Sequence, residues 1–163
     1  MNKSYSMNID TGEKTWLTPP EIINALGPFD IDPCCPPMMP WRTAKQMVHW
    51  PDDGLKVDWT GKRVWLNPPY GRESVPFLRK MAENKTGGGI AFLFGRTDTK
   101  AWHEWIFPFA FGFLFMQGRT KFYCKDGKIL GTSPAPSVLV AYTEKDFMCL
   151  RESGIIGAFL RVS

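Results

Sequence analysis

The sequence predicts an α/β fold in which a mostly parallel sheet is joined by an antiparallel hairpin in the C-terminal part of the chain. Three observations carry that expectation. An alternating run at 29–32 and apolar runs at 64–66 and 90–94 have the length of strands, helical patterns flank them, and Pro or Gly clusters punctuate the joins.

Residues 1–14 are polar and read as a flexible arm, leaving one domain over 15–163. Thr18-Pro19-Pro20-Glu21 then opens a helix to about Leu26. Thr18 suits the cap, the prolines suit a first turn, and Glu21 suits the capping-box acid. Gly27-Pro28 stops this helix, and the alternating run 29–32 ends at Pro33 as a brief strand with Asp32 at its carboxyl end. From Cys34 to about Trp59 no periodicity survives, and so long a loop in a small domain reads as a ligand-handling segment.

Residues 64–66 form a buried strand that must stop at Asn67-Pro68-Pro69-Tyr70-Gly71, because proline offers no ladder donor. Apolar residues at 75, 77, 78, 81 and 82 mark one face of a helix over 74–84, and Gly87 to Gly89 reset the chain. The uninterrupted run 90–94 fits a central strand covered on both faces. Asp98 or Thr99 is expected to cap a helix over 100–107. Strands follow at 111–116 and 138–142, with a hairpin from Lys121 to Tyr123 and Ile129; the tail 147–162 carries no single pattern. In such a sheet ligands sit beyond the carboxyl ends of strands, where both Asp32 and Asn67 fall.

Composition narrows the function classes. The chain has 163 residues, 44% hydrophobic and 22% charged, which fits one soluble domain and excludes a disordered chain. A net charge of +4 helps a polyanion approach without binding one tightly. Cys34, Cys35, Cys124 and Cys149 include no CxxC pair, and His49 and His103 lack ligand spacing, so free thiols and no metal site are expected. The longest apolar stretch, 105–116, is short and broken by Pro108 and Gly112, so no membrane span and a cytoplasmic location are expected. Gly87 to Gly89 lack the Lys-Ser/Thr of a phosphate loop and read as a turn.

The most specific feature is Asn67-Pro68-Pro69-Tyr70. An amino group on an aromatic ring is a poor nucleophile, since its lone pair is drawn into the ring, and a site that uses it must supply acceptors for its N–H groups. An Asn carbonyl and a neighbouring backbone carbonyl can do so. Two prolines without N–H groups keep the turn rich in acceptors, and Tyr70 offers a flat face for a base taken out of its helix. The alternative reading is a rigid turn after a strand.

The wider pattern resembles a family. The blocks Trp16-Leu17-Thr18-Pro19, Phe29-Asp30-Ile31-Asp32-Pro33-Cys34, Asp53-Gly54-Leu55, Val64-Trp65-Leu66-Asn67-Pro68-Pro69-Tyr70, Arg96-Thr97-Asp98-Thr99-Lys100-Ala101-Trp102-His103 and Gly118-Arg119-Thr120-Lys121-Phe122 are similar, in this order, to the phage-type DNA N6-adenine methyltransferases (the phage Dam family). The likeness runs from about residue 14 to about residue 143. It implies a compact Rossmann-like methyltransferase fold that moves a methyl group from S-adenosylmethionine to adenine in double-stranded DNA, releasing S-adenosylhomocysteine.

By that resemblance Asn67, Pro68, Pro69 and Tyr70 would be catalytic and hold the flipped adenine. Asp32, with Pro33 and Cys34, would bind the cofactor, Asp32 taking its ammonium group; Asp53 would reach the ribose, and Trp16, Thr18 and Pro19 would line the pocket, to which Asn67 also belongs. Arg96 and Lys100 would meet DNA phosphates, and Arg119, Lys121 and Phe122 would border the target base. The resemblance requires no metal, membrane or protein partner, and in a phage or prophage setting it implies the bacterial host cytoplasm.

There are departures. The turn after the first strand has no glycine, and little chain separates Asp32 from Leu66, so an abbreviated sheet is expected. Cys34 and Cys35 beside prolines invite comparison with cytosine carbon-5 methyltransferases, but nothing adjacent lowers a thiol pKa or supplies an acid. The same site could serve cytosine N4, RNA adenine or a protein glutamine, and a further alternative is an inactive DNA-binding module.

Overall fold

Side-chain burial along the strands explains the layers. In the computed structural model, which describes residues 16–49 and 51–162, the main sheet has seven strands. The expected arm over 1–14 lies outside the described residues. The chain runs α1 (Pro20–Leu26), β1 (Ile31–Asp32), β2 (Gln46–Met47), β3 (Val64–Leu66), α2 (Ser74–Glu83), β4 (Gly89–Phe94), β5 (Gly112–Met116), β6 (Lys121–Tyr123), β7 (Ile129–Thr132), β8 (Ser137–Ala141), α3 (Glu144–Glu152) and β9 (Gly157–Arg161).

The strand order is β2-β1-β3-β4-β8-β5-β9. β2, β1, β3 and β4 pair in parallel, while β8 enters antiparallel between β4 and β5, and β9 closes the far edge antiparallel to β5. β6 and β7 form a separate antiparallel hairpin. It lies between β5 and β8 in the chain.

Successive residues of the central strands alternate between two cores, as the period of two requires. Val64, Leu66, Ala91, Phe113, Val138 and Val140 pack with α2 residues Leu78 and Met81 and with Trp102 and Ile106. Trp65, Ile90, Phe92, Leu114 and Leu139 pack on the other face with Ile22, Ile23 and Leu26 of α1 and Phe147 and Leu150 of α3. The sheet is therefore covered on both sides. At its start β4 runs against β3 so closely that a Cβ at Gly89 would lie 2.1 Å from the Val64 carbonyl oxygen, and Gly89 also sits at φ +131. Only glycine meets both conditions.

Three local expectations are corrected, and the tail gains its elements. Thr18 does not cap α1: the cap position is Pro19, no side-chain bond caps it, and Thr18 bonds elsewhere. The segment expected as a helix over 100–107 tightens into helix only at 100–101 and then widens into a π-helical turn, Trp102–Ile106, in which the Phe107 N–H donates to the Trp102 carbonyl at 2.9 Å. No side chain caps it, and the Thr99 hydroxyl donates to the Arg96 carbonyl instead. The wider turn sets the Trp102 and Phe107 rings 5.2 Å apart above Phe113. β2 lies inside the expected loop, and the tail divides into α3, capped by Thr143, and the edge strand β9.

Candidate active site

β2 and β3 lie on opposite sides of β1, so the strand order reverses there and a crevice opens beyond the carboxyl ends. β1, β3, β4 and β5 point the same way, which brings Asp32, Asn67, Arg96 and Arg119, each at or just past a carboxyl end, to one edge of the sheet. No sequence neighbour relation links these four. Topology does.

Asn67 is half-buried, and its Nδ2 donates to Thr18 Oγ1 at 3.1 Å. Its carbonyl oxygen takes no hydrogen bond among the described residues. Thr18 reaches it because Leu17 pairs like an added strand with the hairpin: its N–H donates to the Tyr123 carbonyl at 2.9 Å and its carbonyl accepts from Tyr123 at 3.2 Å. Trp16 sets its ring edge-on to Phe122 at 5.3 Å. Pro68 is buried and Pro69 exposed.

The Tyr70 ring stacks on Phe94, centroids 4.5 Å apart and 1° from parallel, and is 44% exposed. One face is thus backed by protein. Desolvation pushes its hydroxyl pKa up, so it stays uncharged. Asn67, Tyr70, Phe92, Phe94 and Phe122 close on one another without leaving room for a water. Phe122, 1% exposed, belongs to the floor of this cluster and not to the outer surface.

Asp32 is 3% exposed, and both carboxylate oxygens are already engaged. Oδ1 accepts from the Cys34 N–H at 3.0 Å and Oδ2 accepts from the Thr43 hydroxyl. Burial raises its pKa to about 6 against the pull of those two bonds. Burial, with Asp32 nearby, also lifts the Cys34 thiol well above its usual range and the Cys35 thiol to about 12. Both remain thiols at neutral pH, which argues against a cysteine nucleophile.

A separate cleft lies away from Asn67. It measures about 390 Å³ and lies past the carboxyl end of β2, between Met47, Val48, Asp52, Asp53, Lys56 and Val57. Asp53 is exposed there; its Oδ1 accepts from the Leu55 N–H and its Oδ2 lies 3.7 Å from Lys56 Nζ. The cleft wall abuts the β1 turn, since a Cβ at Gly54 would sit 1.9 Å from the Pro33 carbonyl oxygen. Lys80 Nζ, above the Trp59 ring, donates to the carbonyls of Leu55 and Val57 and holds the wall from α2.

Arg96, Lys100, Arg119 and Lys121 are exposed, with Lys100 3.3 Å from Glu104. Among the described residues no three metal-ligating side chains gather, and no helix is long and apolar enough to cross a membrane. Sequence reasoning missed Phe94 as the ring under Tyr70 and Thr43 as the partner of Asp32. Phe94 ends an unbroken apolar run and so reads as core, and Thr43 sits in a stretch without period.

No curated protein and no solved structure matches the chain. The family model described as DNA N-6-adenine-methyltransferase (Dam) matches residues 6–153, which takes in the Asp32 turn, the Asn67 turn and both cores. The chain therefore belongs to the DNA N-6-adenine-methyltransferase (Dam) family.

Proposed function

We propose that the protein transfers a methyl group from S-adenosylmethionine to the N6 amino group of an adenine turned out of double-stranded DNA, on a compact Rossmann-like methyltransferase fold. The observation that carries this reading is Asn67: its amide nitrogen is tied back to Thr18 while its carbonyl oxygen has no partner among the described residues, beside the half-exposed Tyr70 ring.

In this reading Asn67 Oδ1 accepts one amino N–H and the Pro68 carbonyl accepts the other. Positive charge grows on the nitrogen as it takes the methyl, so these acceptors bind the transition state more strongly than the ground state. The outer face of Tyr70 stacks the base, and Phe94 keeps that ring from turning away. The exposed Arg96, Lys100, Arg119 and Lys121 meet phosphates.

The residues present fit the cofactor. A cleft of about 390 Å³ is in the range of small-ligand sites, and the exposed Asp53 carboxylate on its wall can accept from ribose hydroxyls. Asp32 lies at the point of strand reversal, with Pro33 and Cys34 on the same turn and Trp16, Thr18 and Pro19 on the hairpin side. When bound, S-adenosylmethionine supplies a methyl on a sulfonium and leaves as S-adenosylhomocysteine. The residues need only align the amino group in line with that methyl: one C–N bond forms as one C–S bond breaks, and the amino proton is lost to solvent.

The test is transfer of labelled methyl to unmethylated duplex DNA followed by nucleoside analysis. Label is expected in N6-methyladenine, with Asn67→Ala lowering the rate about a hundredfold or more. Label in N4-methylcytosine, RNA or protein would replace the substrate, and cofactor binding without transfer would leave a DNA-binding module.

A further inference from the structure

Thr18 is 2% exposed, and it stands just before a helix where a threonine usually caps. It does not cap. Its hydroxyl oxygen instead accepts from Asn67 Nδ2, a residue far away in the chain. A primary amide has one acceptor end and one donor end of nearly the same shape, exchanged by a half-turn of the side chain. Only one orientation offers an oxygen to an amino substrate; the other sets N–H against N–H.

We propose that Thr18 is a positioning residue for methyl transfer, taking the donor end of the Asn67 amide so that the acceptor end is left for the substrate amino group. The assignment rests on the amino-transfer reading above. Thr18 is itself well placed to act as a fixed partner. On one side Leu17 makes two backbone bonds with Tyr123 of the hairpin. On the other, Pro19 has its φ held by its ring at -53, and its carbonyl accepts from the Ile22 N–H at the start of α1. Replacing the hydroxyl by a methyl would strand a half-buried N–H₂ group, and the amide would then gain by swinging toward water, away from the orientation that presents its oxygen.

The test compares Thr18→Val, which keeps the shape and removes the acceptor, with Thr18→Ser, which keeps the acceptor. For labelled methyl transfer to duplex DNA, Thr18→Val is expected to lower kcat about tenfold or more while KM for DNA stays within about twofold. Thr18→Ser is expected to retain kcat within about threefold. Should the valine variant lose its fold, Thr18→Cys, of similar size but a weak acceptor, replaces it with the same expectation. A wild-type kcat in the valine variant overturns the proposal. So does a loss confined to cofactor affinity, which would make Thr18 a cofactor contact, or an equal loss in the serine variant, which would make it a packing residue. A wild-type protein that transfers no methyl to any amino group overturns the amino-transfer reading itself, and Thr18 falls with it.

Discussion

Asn67 and Asp32 sit at the ends of neighbouring strands, yet their surroundings give them opposite characters. The amide is neutral at every pH and keeps an open acceptor. The carboxyl is sealed, and burial raises its pKa from 3.8 to about 6. Between those two values the native state holds a proton that the unfolded chain has lost, so folding is favoured there by Asp32 remaining neutral. That contribution is whole below the unfolded value and is lost as pH rises through about 6. At about 1.4 kcal/mol per pKa unit it amounts to roughly 3 kcal/mol at most. Denaturant midpoints should therefore fall between about pH 4 and pH 7 in the wild type, and Asp32→Asn should flatten that share of the profile. An unchanged slope would show that Asp32 is ionised in the native state. If Asp32 receives the cofactor's ammonium group, it must ionise to do so, and cofactor affinity should rise over the same interval and lose that rise in the variant.

At the scale of elements, the irregular segment between β1 and β3 is pinned by contacts at Gly54, Trp59 and Lys80. Gly54 lies against the Pro33 carbonyl, the Trp59 indole N–H donates to the Gly54 carbonyl at 3.0 Å, and Lys80 ties the Leu55 and Val57 carbonyls to α2. Gly54→Ala would press a Cβ into backbone, which cannot rotate away as a side chain could. We expect a cost of about 2 kcal/mol and at least a tenfold weaker cofactor Kd by calorimetry, with duplex DNA affinity unchanged. Equal losses for both ligands would mean that the whole fold had shifted. The same elements show how far the sequence could be read. α2 is legible because burial of one face imposes a period on its side chains, and β3 and β4 because burial on both faces leaves unbroken apolar runs. β2 is two residues at an edge, Gln46 exposed and Met47 half-buried, and no period can be read from two residues. The π-helical turn keeps the apolar residues of an α-helix, so composition cannot separate the two; the packing of Trp102 and Phe107 over Phe113 does.

Across the whole molecule, an ion-pair clamp and the proposed site occupy opposite edges of the sheet. Before β3, Arg63 donates to Asp146 of α3 at 2.7 Å and to the carbonyls of Leu26 and Pro28, and Asp146 also accepts from the Gly89 N–H at the start of β4. One clamp thus joins the carboxyl end of α1 to the starts of α3, β3 and β4. Asp146→Ala would leave the guanidinium, 14% exposed, without its counter-charge. We expect about 3 kcal/mol of lost stability and a Tm lower by about 10 °C in thermal denaturation. Well below that Tm, kcat should match wild type, because Asn67 and Tyr70 stand at the other edge; a large fall in kcat would show that the two edges are coupled.

The sequence by itself determined the α/β class, the strand that ends at Asn67-Pro68-Pro69-Tyr70, and the family resemblance. These are matters of local period and ordered blocks, which a linear string carries in full. Tertiary structure alone decided that Phe94 backs Tyr70, that Thr18 holds the Asn67 amide and not the helix cap, and that Asp32 is sealed by Thr43. Those are contacts between segments that the sheet order brings together at one edge, and their partners follow from strand order and side-chain direction, which no single segment encodes.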